Sequence, residues 1–209
     1  MPDTIPWHQA PLVALDLEGT GAQDREHEAI LELAIVPITN GHPDIDHAYE
    51  TLLNPGRPVP RRPWISPGLT TQAVSTAPRL EEVADDITAR IHDHYIVGHN
   101  ISVDWRLLHR HVPDLKPAGL IDTLRLTRHL RPDQKTRSLT ALTDQLGLTD
   151  ELTRQVPNGH PHRALWDTAA AALLLRGLLK GKQTSLPELL HLAGSDALPS
   201  GHAQPTLWN

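Results

Sequence analysis

The stretch Leu12-Val13-Ala14-Leu15-Asp16-Leu17-Glu18-Gly19-Thr20-Gly21 decides the fold. Up to Leu17 it alternates as a strand does, with Val13, Leu15 and Leu17 on one face and Ala14, Asp16 and Glu18 on the other. Two carboxylates therefore project together from the end of an apolar strand, which Gly19 and Gly21 break. Working outward, Ala29 to Thr39 reads as a second, strongly apolar strand ending at the turn signal Asn40-Gly41. His47 to Leu53 reads as a third strand that closes an antiparallel meander.

Residues 55–67 hold five prolines and three arginines and read as an irregular connection. Beyond it, Leu80, Val83, Ala84, Ile87 and Ile91 fall at helical spacing, with Glu81 and Glu82 at the positive end of the dipole. Tyr95 to Val97 is a short buried strand, followed by a helix with Ile101, Trp105, Leu108 and Val112 on one stripe. Gly119 to Ile121 is the fifth strand, and Ser138 to Leu146 a helix that Gly147 stops. Arg154 to Pro161 reads as a loop into a helix from about Arg163 to Lys180 that is apolar nearly all round, so Asp167 within it needs a partner. The expectation is an α/β protein with a mixed five-stranded sheet flanked by helices. Residues 1–11 read as an N-terminal extension, 12–194 as one domain and 195–209 as a flexible tail.

Composition narrows the chemistry. The 209 residues include no cysteine, which excludes disulfides, thiolate metal sites and a cysteine nucleophile and fits a cytoplasmic location. No stretch approaches the ~18–20 apolar residues that span a bilayer. The formal net charge of −6 argues against broad electrostatic capture of long nucleic acid, although a local basic track can serve a short single-stranded end.

Four acids stand where the pattern predicts burial or a sheet edge: Asp16 and Glu18, Asp104 just after Gly98-His99-Asn100, and Asp167. Brought together without cations they would repel and their pKa values would rise. Hard oxygen donors suit a pair of Mg²⁺ ions, with Mn²⁺ as a substitute. Such a pair can activate water and stabilise a leaving oxygen, and His162, five residues before Asp167, is a candidate proton acceptor.

The residues quoted so far carry a resemblance. Leu15 to Gly21 resembles the first motif of the DEDDh (DnaQ-like) exonucleases, the group that includes the proofreading epsilon subunit of bacterial replicative polymerase, RNase T and oligoribonuclease. Gly98 to Asp104 resembles the second motif, and His162-Arg163-Ala164-Leu165-Trp166-Asp167 the third, with its His-x₄-Asp spacing. Ile65 to Pro78 and Ile121 to Leu124 also match intermediate stretches. Each motif alone is weak, but the three in family order are specific. The resemblance implies an RNase H-like fold, two Mg²⁺ ions on Asp16, Glu18, Asp104 and Asp167, and His162 as general base. It implies 3′→5′ hydrolysis of nucleic acid, most simply of single-stranded DNA ends, with a polymerase or other replication or repair partner. The sequence departs from the family at Gly19, where threonine is frequent, at Val103, where phenylalanine is frequent, and at Trp166.

Substrate contacts are less determined. Thr20 and Gly19 are assigned to the terminal nucleotide, with a plain turn as the alternative for Thr20. Asn100 is read as a helix cap or a substrate contact, capping being favoured. Arg125, Arg128, Arg131, Lys135 and Arg137 form a basic run that is either a solvated face or, through Arg128 and Arg131, a track for the substrate backbone. His160 rivals His162, and the pairs His92/His94 and His109/His111 are zinc candidates without a matching second pair. An RNA exonuclease and a non-catalytic polymerase-accessory module are the competing functional readings.

Overall fold

A computed structural model describes residues 5–195. The first strand, β1 (Leu12–Gly19), lies at the centre of the sheet, antiparallel to β2 (Ile30–Thr39) on one side and parallel to β5 (Tyr95–Gly98) on the other. Strand β6 (Gly119–Asp122) continues the parallel half beside β5. On the far edge of β2 lie two short strands, β3 (His42–Pro43) and β4 (Tyr49–Leu52). The sheet is thus mixed, as expected, but six-stranded rather than five-stranded. The reason lies in the edge expected as one strand: Pro37 and Pro43 have no N–H to give to a ladder, and a 3-10 turn at Ile45–His47 interrupts the pairing.

Both faces of β1 are covered, so its first half is buried on either side. Val13 and Leu15 pack with Ile87 and Ile91 of α2 (Leu80–Ile91) and with Trp105 and Leu108 of α3 (Ser102–His111). Leu12 and Ala14 face the opposite layer, built on α7 (Ala164–Leu179) with α4 (Thr123–Leu130), α5 (Leu139–Gln145) and α8 (Leu186–Ala193). Asp16 and Glu18 continue the face of Ala14, so the strand's alternation delivers them to the layer that carries Asp167. The remaining helices are a single turn, α1 (Thr71–Val74), and α6 (Thr149–Gln155), which packs on α7.

Four helices were not legible as such, the single-turn α1 among them. The basic run begins inside α4, where Leu126 and Thr127 are buried and Asp122 caps the helix by accepting from Leu124 N at 2.8 Å. The stretch expected as a loop from Arg154 begins as the last turn of α6, and α8 closes the domain. The N-terminal residues also depart from expectation, since those described are not an appendage. Trp7 is 6% exposed within the core, Trp7 N donates to Thr184 O at 3.2 Å, and Leu186 N donates to Ile5 O at 2.9 Å. Of the expected tail, residues 196–209 lie outside the described residues. Among those described, no helix is long and apolar enough to cross a membrane.

Candidate active site

The site forms where β1 ends. Pairing with β2 shifts between Glu18 and Gly19, a bulge that turns the chain sharply back toward Ala29. Glycine is required there for space: a Cβ on Gly19 would lie 2.8 Å from Ala29 O and 3.2 Å from Leu107 Cδ2. The departure from threonine at this position therefore answers to the close backbone approach. Thr20 is 1% exposed, and its Oγ accepts from Ala29 N at 3.0 Å. Its hydroxyl closes the turn between β1 and Ala29.

Asp104 reaches β1 from the first turn of α3, its Oδ1 accepting from Leu17 N at 3.2 Å. Asp167, in the first turn of α7, accepts from His162 N at 2.8 Å. That bond is the partner the sequence required for an acid in an apolar helix. His162 makes it with a left-handed backbone, φ 65°, a conformation costly for a residue with a side chain and concentrated at functional loops. Ligand atoms of Glu18, His162 and Asp167 lie within 4.8 Å of one another.

Electrostatics tie Asp16 and Asp104 to the same place. Burial pushes the Asp16 carboxyl well above its usual range, and the charges of Asp104, Asp167 and Glu18 push it further. Burial drives Asp104 up to about 7 against the opposing Leu17 hydrogen bond, with Glu18 and Asp167 adding repulsion. Asp167 is raised to about 7 by burial and by Glu18. Glu18 is also raised by burial, partly offset by the hydroxyl of Ser66, which donates to its Oε2. Four carboxylates that disfavour one another's ionisation, presenting only oxygen donors, are the donor set a hard divalent cation would satisfy.

Two supporting acids escaped the sequence reading. Glu32, opposite Glu18 on β2, is fully buried, and Arg163 Nε lies 3.0 and 2.9 Å from its two oxygens. Ala164 N adds a bond of 3.2 Å to Glu32, so this pair pins the start of α7 and the His162 loop onto the sheet. Glu28 is 4% exposed and takes Arg106 in a fork at 2.7 and 3.0 Å, fastening the β1–β2 connection to α3. The signal for Glu32 was present: a charge inside the apolar run Ile30 to Ile35 demands a partner as Asp167 does.

The other candidates fall as follows. Asn100 does not cap α3; the cap position is Ile101, without a side-chain bond, and Asn100 takes φ 67° with its N–H on Asp122 Oδ1 at 3.0 Å. Arg128 and Arg131 are exposed at the end of α4. Arg137 instead closes its own loop, donating to Pro132 O at 2.6 Å. His160 is exposed and meets Pro161 O, His94 meets His92 O, and His111 meets Glu28 O, none of them in a metal-ligand group among the described residues.

This arrangement defines a class: an α/β sheet with clustered carboxylates and one histidine at the end of its central strand, a donor set suited to divalent cations. The profile of the RNase T group, described as Exonuclease, matches residues 13–175, and the chain belongs to that family. A "DNA polymerase III subunit epsilon-like protein" of Rhodobacter capsulatus is 31% identical over 170 residues, covering 80% of this chain and 23% of that protein. The "DNA polymerase III PolC-type" of Bacillus subtilis is 33% identical over 173 residues, covering 80% of this chain and 11% of the other. The chain thus spans about a quarter or less of these curated relatives. Exonuclease X, solved in complex with 5′ overhanging duplex DNA, superimposes with a TM-score of 0.65 at 27% identity, covering 87% of this chain and 98% of its own. The nuclease domain of 3′hExo, a DEDDh family member, shares the fold with a TM-score of 0.59 at 16% identity over 90% of this chain and 96% of its own. The RNase H-like fold and the DEDDh resemblance are borne out.

Proposed function

We propose that the protein removes nucleoside 5′-monophosphates one at a time from the 3′ end of a nucleic-acid strand, DNA first, with two divalent cations held by Asp16, Glu18, Asp104 and Asp167. One observation carries the reading: carboxylates from β1, α3 and α7 crowd closely enough to raise one another's pKa values, with His162 at their edge. Mg²⁺ or Mn²⁺ ions bound there would neutralise the carboxylates and act as Lewis acids toward the scissile phosphate.

The chain's own groups supply the rest. Leu17 N–H, His162 N–H and the Ser66 hydroxyl each hold one carboxyl group, on Asp104, Asp167 and Glu18 respectively, so the ligands are oriented before substrate arrives. His162, exposed and neighbouring Glu18 and Asp167, takes the proton of the attacking water. The phosphorus–oxygen bond to the preceding nucleotide breaks, its 3′ oxygen takes a proton from solvent, and the shortened strand ends in a hydroxyl. Arg128 and Arg131 track the backbone of the scissile strand, and Gly19 and the exposed Asn100 border the terminal nucleotide. DNA is favoured over RNA by the names of the polymerase relatives and by the DNA bound to Exonuclease X. Those names also support a polymerase or other replication or repair partner.

The test compares end-labelled single-stranded DNA, duplex DNA and RNA with Mg²⁺, Mn²⁺ or a chelator, identifying the products. Mononucleotides released from the 3′ end of DNA, and stopped by the chelator, are expected. Internal cutting, or release unaffected by the chelator, contradicts the reading.

A further inference from the structure

The buried carboxylate of Glu28 faces two arginines, where one would neutralise it. Arg106 meets its two oxygens at 2.7 and 3.0 Å, and Arg110 reaches Oε2 at 3.3 Å. His111 Nε2 lies 2.8 Å from the Glu28 carbonyl and adds to the hold on the backbone. Fastening the β1–β2 connection to α3 accounts for one guanidinium. The second leaves the group with a charge of +1, and both side chains stay open to solvent, Arg106 at 39% and Arg110 at 40%. Cations that a buried carboxylate already holds in place have less rotamer freedom to lose on meeting an anion.

The two arginines fall on one stripe of α3, three and seven residues beyond Val103, which is 50% exposed directly before Asp104. The stripe thus starts at the carboxylates and runs away from them over about 10 Å, at 1.5 Å per residue. Glu28 first, and Asp104 more weakly, push the Arg106 guanidinium above its usual range, so Arg106 lies within electrostatic reach of the site. Helix α3 packs on the sheet face of Val13 and Leu15, whereas α4, with Arg128 and Arg131, packs on the face of Leu12 and Ala14. Both helices follow strands parallel to β1 and leave from its carboxyl end. Two cationic helix faces in opposite layers therefore start beside the carboxylates, and a single strand following one of them leaves the other unused.

We propose that Arg106 and Arg110 hold the phosphate backbone of the uncleaved strand of a duplex, while the strand being shortened follows α4. The inference rests on the exonuclease reading and adds a substrate form to it: a 3′ end carried by a double helix. Guanidinium–phosphate contacts suit this role because they fix the backbone in place without reading its sequence.

The test measures binding of a single DNA strand, and of the same strand annealed to its complement, over a salt series with Ca²⁺ in place of Mg²⁺. In the wild type the slope of log K against log salt should be steeper for the duplex by about 2, close to one for each added phosphate contact. Arg106→Gln with Arg110→Gln should remove that difference, and Arg106→Lys with Arg110→Lys, which keeps the charges, should retain it. Glu28→Gln separates phosphate binding from fastening. It breaks the same link between α3 and the β1–β2 connection but keeps both cations, so the steeper duplex slope should survive. Wild-type slopes that differ by less than about 0.5 overturn the second-strand role. So does a difference that persists in the glutamine pair, or one that Glu28→Gln loses to the same extent. Release of mononucleotides from single strands with Mg²⁺ then leaves the exonuclease reading standing, and its absence removes the two together.

Discussion

His162 shows what one residue contributes here. Its left-handed backbone gives its N–H to Asp167 while its ring stays exposed near Glu18, so in the proposed reaction one residue would both orient a ligand and offer a base. Replacement by alanine preserves the backbone bond and removes only the imidazole. Turnover of labelled strands should fall by ~10²- to 10⁴-fold with the melting temperature nearly unchanged, and wild-type rates would remove His162 from the reaction. The acids make a prediction of opposite character. Asp104 and Asp167, raised from an ordinary 3.8 to about 7, hold protons in the folded state that the unfolded chain has already released. The stability they contribute is complete below about 3.8 and is lost as pH rises through 7. Thermal melts without metal should therefore show a wild-type decline from pH 4 to 8 that Asp104→Asn with Asp167→Asn flattens; equal slopes in both proteins would contradict the shifts. Asp16, Glu18, Asp104, His162 and Asp167 could be picked out as candidates because their spacing sits on strong strand and helix patterns. Thr20 and Asn100 were not, because whether a short polar side chain bonds its own turn is decided by backbone angles that sequence spacing does not encode.

At the scale of elements, the question is what brings α7 to β1. Helix α7 is apolar on every side, so burial drives it inward but gives it no preferred rotation. The Glu32–Arg163 pair supplies that direction, joining β2 to the residue between His162 and Ala164. Glu32→Gln should cost about 3 kcal/mol in denaturant unfolding, the low end for breaking a buried pair because the Arg163 side chain keeps 32% exposure. A change under about 0.5 kcal/mol would show that packing alone sets the helix. Helix α4 carries the other element-scale claim. Its buried Leu126 and Thr127 were obscured in the sequence by the arginines before and after them, and the fold leaves Arg128 and Arg131 exposed. If they track the strand, replacing both with glutamine should lower the slope of log K against log salt by about 2. An unchanged slope would return the run to a solvated face. The long strands and the two-sided helix were legible through their periodicity. The short helices α4 and α6 were not, since seven or eight residues give few repeats and neither carries the leucine spacing and glycine stop that marked α5.

For the molecule as a whole, the sheet order explains why sequence motifs so far apart act together. Strand β1 is central, its carboxyl end faces the start of α3 after β5, and the start of α7 is fastened to β2 beside it. Strand edges could not be placed from pattern alone, which is why a sixth strand and the packing of residues 5–11 against Thr184 and Leu186 emerged only in three dimensions. The net charge of −6 is consistent with a protein that grips one strand end locally, since many of its acids lie in the site itself or in ion pairs with Arg57, Arg106, Arg163 and Arg176. The most direct measurement of the central claim is a crystal grown with Mn²⁺ and a nucleoside 5′-monophosphate, with the ions located by anomalous scattering. Two peaks bounded by Asp16, Glu18, Asp104 and Asp167, with the phosphate against them, are predicted. Ions elsewhere, or those carboxylates apart and paired with arginines, would contradict the account.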